Sequence, residues 1–175
     1  GLQLVRHLSQ VAQQEAQERD RLEEQAIEAQ ALKDKEDLRL DEEKWAIEKV
    51  AVLAGSWSVQ EESNWHAKRF RALAGASEAD LRAKLRKLKV RYEYGTDWDA
   101  LALLVVQNEK LREREKRAKK SWASQRDAEL RQMDIEMLSR LLRMHGISVP
   151  ILNENAKQSM LKKLLEMETL LKWKT

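Results

Sequence analysis

Three histidines, His7, His66 and His145, are the only imidazoles in this sequence, and they are widely separated. None has an acidic or imidazole partner at a metal-ligand spacing such as H-x-x-x-H. Cysteine is absent, which excludes a thiolate metal site, a disulfide scaffold and a cysteine nucleophile. There is no G-x-x-x-x-G-K-S/T, no G-x-G-x-x-G and no G-x-S-x-G. Paired Asp and Glu residues abound, but on charged stretches that read as exposed helix faces. No apolar pocket is foreseeable there to shift a carboxyl group into the range for acid–base work. The expectation is a chain that is not an enzyme, with no cofactor, no metal ion and no small-molecule substrate.

What the sequence does offer is charge. The formal net charge is +3, but residues 1–56 hold 8 Lys/Arg against 13 Asp/Glu, and residues 57–175 hold 25 against 17. The densest basic field is residues 68–91, with nine cations and two acids. Its cations are Lys68, Arg69, Arg71, Arg82, Lys84, Arg86, Lys87, Lys89 and Arg91. Such a field suits phosphate oxygens of RNA or DNA. It equally suits solvent or an acidic protein, including the acidic N-terminal helix of a neighbour. The run at 110–120 reads as mostly solvated helix, because Glu113 and Glu115 interleave its bases. Six tryptophans, Trp45, Trp57, Trp65, Trp98, Trp122 and Trp173, are many for a chain that is 36% charged. Large aromatics are enriched where one end stays wet, so these are candidate protein-interface anchors.

The elements that must position these residues are helices. Leu, Ala, Glu, Gln, Lys and Arg dominate, while Ile (5), Thr (3), Tyr (2) and Phe (1) are scarce. One proline and five glycines cannot supply the turns of a sandwich or barrel. The expected fold class is all-α, extended rather than globular, with a long N-terminal helix that forms a partial coiled coil. Residues 2–54 lack Gly and Pro, and apolar residues step by three and four at Val5–Leu8–Ala12, Leu22–Ala26–Ala29 and Ile47–Val50–Ala54, with gaps between. Ser58-Val59-Gln60-Glu61 opens a second helix, to about Ala74, buried on Trp65, Arg69, Ala72 and Leu73 with Phe70 beside them. Ser77-Glu78-Ala79-Asp80 opens a third, with Leu81, Leu85 and Leu88 inward, ending near Val90. Another helix is expected from Asp97 to His145, with Leu101, Leu104, Val105 and Leu111 on one face and a kink or break near 121–124. Its last part carries Leu130, Met133, Met137, Leu138, Leu141 and Leu142. Gly146 followed by Ile147 reads as a Schellman stop, Pro150 demands an extended loop, and a last helix runs to about Trp173. Three regions follow: 1–55 a long exposed helix, 56–120 a basic helical region, and 121–175 a helix-loop-helix unit.

An internal repeat is legible. Leu81 aligns with Leu138, Leu85-Arg86 with Leu142-Arg143, and Val90 with Ile147; after a loop three residues longer in the second copy, Leu101, Leu104 and Leu111 meet Leu161, Leu164 and Leu171. The second copy, about 134–172, resembles the helix-extended-loop-helix families exemplified by the SAP motif and the N-terminal domain of transcription terminator Rho. The resemblance rests on Leu138, Leu142, Gly146-Ile147, the Pro150 loop, Lys157, Met160-Leu161 and Lys163-Leu164, with Ala156 where those families usually have glycine. It implies docking of nucleic acid or protein through the loop and Lys157. The first copy departs further, with Lys89 in the glycine place and Asp97 and Asp99 at the second helix start.

The functional expectation is a non-catalytic structural or assembly subunit of a larger macromolecular complex, with other protein subunits as partners. The alternative is an RNA- or DNA-contacting helical protein, within a ribonucleoprotein for example. The longest apolar run, residues 100–106, is far short of the ~20 residues a membrane span needs. No signal-peptide pattern opens the chain, so the expected location is intracellular. Because residue 1 is glycine, it reads either as a trimmed fragment or as a processed organellar protein.

Overall fold

A computed structural model describes residues 1–174. Helix accounts for 80% of the chain, and no strand occurs among the described residues. In order the helices are α1 (Leu2–Gly55), α2 (Val59–Leu73), α3 (Glu78–Lys87), α4 (Trp98–Arg131), α5 (Ile135–Met144) and α6 (Ala156–Lys172).

Starts are set by side-chain caps. The Ser58 hydroxyl accepts from Glu61 N–H, Ser77 and Asp80 form a reciprocal capping box, and Asp97 accepts from Ala100 N–H. The Ser77 N–H in return holds the Asp80 carboxyl below its ordinary pKa. On α1, 54 residues without proline, Arg21–Glu18, Arg39–Glu36, Arg39–Glu43 and Lys44–Glu48 pair one turn apart. Each such pair contributes about 0.2–0.5 kcal/mol, which supports an exposed helix without specifying a partner.

The expected break at 121–124 does not occur. The helix runs through it, because Trp122 is locked among other aromatic rings, and stops at 132–134 instead. There the Asp134 carboxylate accepts from Met137 N–H at 2.8 Å and restarts the chain as α5. Several expected core positions are also corrected. Ala72, Leu111 and Met137 are exposed, as are Ile47 and Val50; α1 packs instead on Trp45, Val52 and Leu53. α3 ends at Lys87 rather than near Val90, and Leu88 is only half-buried. The boundary drawn at 120/121 falls inside α4, which spans both cores.

α2 packs antiparallel to the first half of α4, and α6 antiparallel to its second half. Their pairings show it: Glu62 meets Arg114 and Arg69 meets Glu109, while Trp122 meets Trp173 and Arg126 meets Glu168. The C-terminal part of α1 lies along the second half of α4, with Trp45 on Trp122, and reaches α5 through Asp34 and Asp37 on Arg140.

The two cores are built alike. Leu73, Leu81, Leu85, Leu101, Ala102, Val105 and Val106 form the first; Leu130, Leu138, Leu142, Met160, Leu161 and Leu164 form the second. Leu73, Leu81 and Leu85 precede Leu130, Leu138 and Leu142 by a constant 57 residues, and the caps Ser77 and Asp134 share that spacing. Beyond the loop the spacing is 59: Leu101, Ala102 and Val105 correspond to Met160, Leu161 and Leu164. The second loop is therefore two residues longer, not three, and the expected pairing of Leu101 with Leu161 is one position out. α4 serves both units, as the third helix of the first and the first helix of the second.

Both short helices end in the same Schellman turn, with Val90 N–H bonding the Leu85 carbonyl and Ile147 N–H the Leu142 carbonyl at 2.9 Å each. The residue at the turn has positive φ in both: Gly146 at 70° and Lys89 at 58°. A lysine there carries a left-handed penalty of roughly 1–2 kcal/mol that glycine avoids. Lys89→Gly is expected to raise the unfolding free energy by about 1 kcal/mol, and Gly146→Ala to lower it by a similar amount. Equilibrium denaturation of both variants checks this. A loss on Lys89→Gly would show that the lysine side chain outweighs its backbone strain. Space does not enter, because a Cβ at Gly146 would meet nothing within 4 Å.

Candidate docking surfaces

Most of the tryptophans that composition marked as interface anchors are spent inside the chain. Trp45, Trp57, Trp122 and Trp173 are buried; Trp65 and Trp98 are half-buried. Trp45 sits at the centre of one cluster, 5.4 Å from Trp122 and 5.3 Å from Trp173 between ring centroids, and its indole N–H donates to the Lys172 carbonyl at 3.0 Å. Lys172 Nζ lies over the Trp45 and Trp122 rings and also pairs with Asp41. Trp57 stacks edge-on against Trp65 at 5.3 Å under the Arg117 guanidinium. Trp98 donates to the Ala76 carbonyl at 2.7 Å and ties the start of α4 to the α2–α3 turn. They anchor junctions between helices of one chain.

Two buried-edge ion pairs occupy equivalent places in the two units. Arg126 Nε and Nη2 grip the Glu168 carboxylate at 2.6 and 2.8 Å, with Glu129 as a further acceptor. Arg69 grips Glu109 in the same forked way, with Nη2 at 2.8 Å. The carboxylates hold both guanidinium pKa values above the ordinary arginine value. Arg69 and Arg126 are 57 residues apart, and so are Trp65 and Trp122. Extending the leucine alignment upstream of Leu81 exposes this signal; the reading of the sequence stopped short of it.

The nine cations of residues 68–91 do not form one free field. Arg69 is committed to Glu109, and Arg82 pairs with Glu78 at 3.0 Å. Lys68, Arg71, Lys84, Arg86, Lys87, Lys89 and Arg91 have no carboxylate partner among the described residues. Arg112 of α4 reaches the Leu88 carbonyl and adds a further cation at the end of α3. Lys157 donates to the Arg131 carbonyl at 3.1 Å, clamping the α6 start onto the α4–α5 turn. The run at 110–120 is not the solvated stretch expected: Lys110 and Arg114 converge on Glu62, and Arg117 on Glu61 and Glu113.

The other unpartnered surface is the start of α1. From residue 1 to 32 every residue is exposed except Val11, which is half-buried. Leu2, Leu4, Val5, Leu8, Leu22, Ile27 and Leu32 are each more than half exposed. The histidines lie apart: His7 on this arm, His66 against Phe70 in α2, and His145 at the α5 cap. No helix among the described residues is long and apolar enough to cross a membrane. In comparisons with protein-family models, with curated proteins and with solved structures, nothing matches this chain.

Proposed function

We propose that this chain is a non-catalytic assembly subunit that docks by its helices into a larger macromolecular complex. The observation that carries the reading is the arm of α1. Its first 32 residues project from the body with seven large aliphatic side chains uncovered. A polar helix gains little from propensity alone and is held mainly by packing an apolar face, so an arm of this length calls for a surface to lie on. The rest of the molecule supports a scaffold: two small cores, ion-paired helices and aromatic clusters consumed in joining them. A second reading, contact with RNA or DNA phosphates, is favoured by the carboxylate-free cations Lys84, Lys87, Lys89 and Arg91 beside Arg112. In that reading the resemblance of residues 134–172 to helix-extended-loop-helix modules would add a second contact.

One experiment separates the two. The tagged chain, expressed in its own cells, is expected to sediment in a density gradient with an assembly much larger than its own 20.5 kDa. Deleting residues 2–26 is expected to return it to light fractions while nuclease treatment leaves it heavy. Loss of the heavy fraction on nuclease treatment, with the arm deletion without effect, would favour the phosphate reading. Migration of the intact chain at its own mass would sink the assembly reading.

A further inference from the structure

The 57-residue correspondence identifies a groove that is filled on one unit and open on the other. On the second unit, α1 lies across α4 and α5. It lines a cleft with Trp122, Gln125, Arg126 and Glu129 through Asp41, Lys44, Trp45, Glu48 and Val52. Asp34 and Asp37 close on Arg140 of α5 at 3.3 and 2.7 Å, and Asp41 on Lys172 at 3.2 Å. Moved back by 57 residues, the α4 wall becomes Trp65, Lys68, Arg69 and Ala72 of α2. Those four residues line a groove of their own. Arg143, beside Arg140 on α5, becomes Arg86 on α3.

In the first unit only the Trp65 end of the groove is covered. Trp57 stacks there at 5.3 Å, as Trp45 does on Trp122 at 5.4 Å, and the Trp57 indole N–H has no acceptor within the chain. From Trp57 the chain turns back into α1, whose packing is on α4 and α5 of the other unit. The groove floor past Trp65 is left with Ala72 exposed and with Lys68, Arg71 and Arg86 unpaired with any carboxylate among the described residues. The filled groove is neutralised by acids from α1; the open one is more basic, with Lys68 in place of Gln125.

The chain itself carries a helix of the complementary kind. The first 32 residues of α1 hold six Asp/Glu against three Lys/Arg, with Leu22, Ile27 and Leu32 exposed. They are continuous with the segment that fills the second groove. We propose that the open groove of the first unit, walled by Trp65, Lys68 and Ala72 with Arg86 beyond, takes the acidic N-terminal arm of α1 from a second copy of this chain. The proposal rests on the assembly reading and names a first partner for the arm. Reciprocal exchange, each arm on the other copy's groove, closes a two-fold dimer and leaves neither surface bare.

The test is the mass of the purified chain by sedimentation velocity at about 0.1 M and about 1 M salt, where the screening length is about 10 Å and 3 Å. A dimer is expected at the lower salt and a shift toward monomer at the higher. Lys68→Glu with Arg86→Glu, both exposed and away from the cores, is expected to weaken the dimer at least about tenfold, as is deletion of residues 2–26. Circular dichroism verifies that the helices persist. Adding Glu24→Lys and Glu28→Lys to the groove-reversed chain is expected to restore the dimer. A monomer at both salts overturns the proposal while leaving the gradient experiment free to succeed with another partner. So does a dimer indifferent to both the arm deletion and the groove reversal. A monomer that binds a mixed-sequence single-stranded RNA, and loses it on the same reversal, assigns the groove to phosphate instead.

Discussion

Replacing Trp45 by alanine is expected to lower the unfolding free energy by roughly 3–5 kcal/mol, among the largest losses for a single aromatic truncation. The side chain is 7% exposed and touches the rings of both Trp122 and Trp173, so its removal opens a cavity shared by α1, α4 and α6. It also leaves the Lys172 carbonyl without its indole donor. In a chain of this size about 1 kcal/mol moves the melting temperature by roughly 2–4 °C, so a fall of about 6–20 °C is expected. Trp45→Phe keeps most of the packing and loses the hydrogen bond, at about 1 kcal/mol. Native-state hydrogen exchange should show the second half of α1 losing protection first. If Trp45→Ala melts within about 2 °C of the parent, the aromatic cluster does not hold α1 to the body.

Glu168→Gln is the second large effect, at roughly 3–5 kcal/mol. The Glu168 side chain is 4% exposed and that of Arg126 18%, so removing the carboxylate leaves a guanidinium held in poorly hydrated surroundings with only the rim residue Glu129. The double variant Arg126→Met with Glu168→Leu takes both charges away and should recover most of the loss, because well-packed apolar pairs often match a buried ion pair. Urea unfolding of the two single variants and the double gives the coupling directly. Additive losses would show that packing, not charge, makes the contact. The equivalent pair Arg69–Glu109 is more exposed, at 34% and 19%, and Glu109→Gln should cost about 1 kcal/mol.

Local signals carried much of this molecule. Ser58, Ser77 and Asp97 are caps whose spacing to the next acid or backbone donor is readable without any fold, and all three start the helices expected of them. Gly146 and Pro150 bound a loop for the same reason: their backbone preferences belong to the residue itself. The long first helix follows from 53 residues without a breaker. Periodicity also located Leu81 and Leu85, because a short helix with one apolar stripe has one face to bury. The Asp134 cap was legible by the same rule, yet it lies in a run with neither Gly nor Pro, and the polar Ser121 and Ser124 drew the break to the wrong place.

Tertiary packing decided the rest. Whether Ile47 or Trp45 faces inward depends on which side of α1 meets α4, and a helix with apolar residues scattered around its circumference does not declare that side. The pairing of Arg126 with Glu168 joins residues 42 positions apart, and that of Trp45 with Trp173 joins residues 128 apart. No local preference encodes contacts at such separations; they exist because α4 is shared by two cores and holds α1, α2 and α6 alongside it. The basic cluster shows the same division. Its nine cations are plain in the sequence, but only the fold commits Arg69 to a carboxylate on a distant helix and leaves Lys68 and Arg86 free beside an open groove. Charge is a property of the residue, and its neutralisation a property of the neighbours that the chain's packing brings.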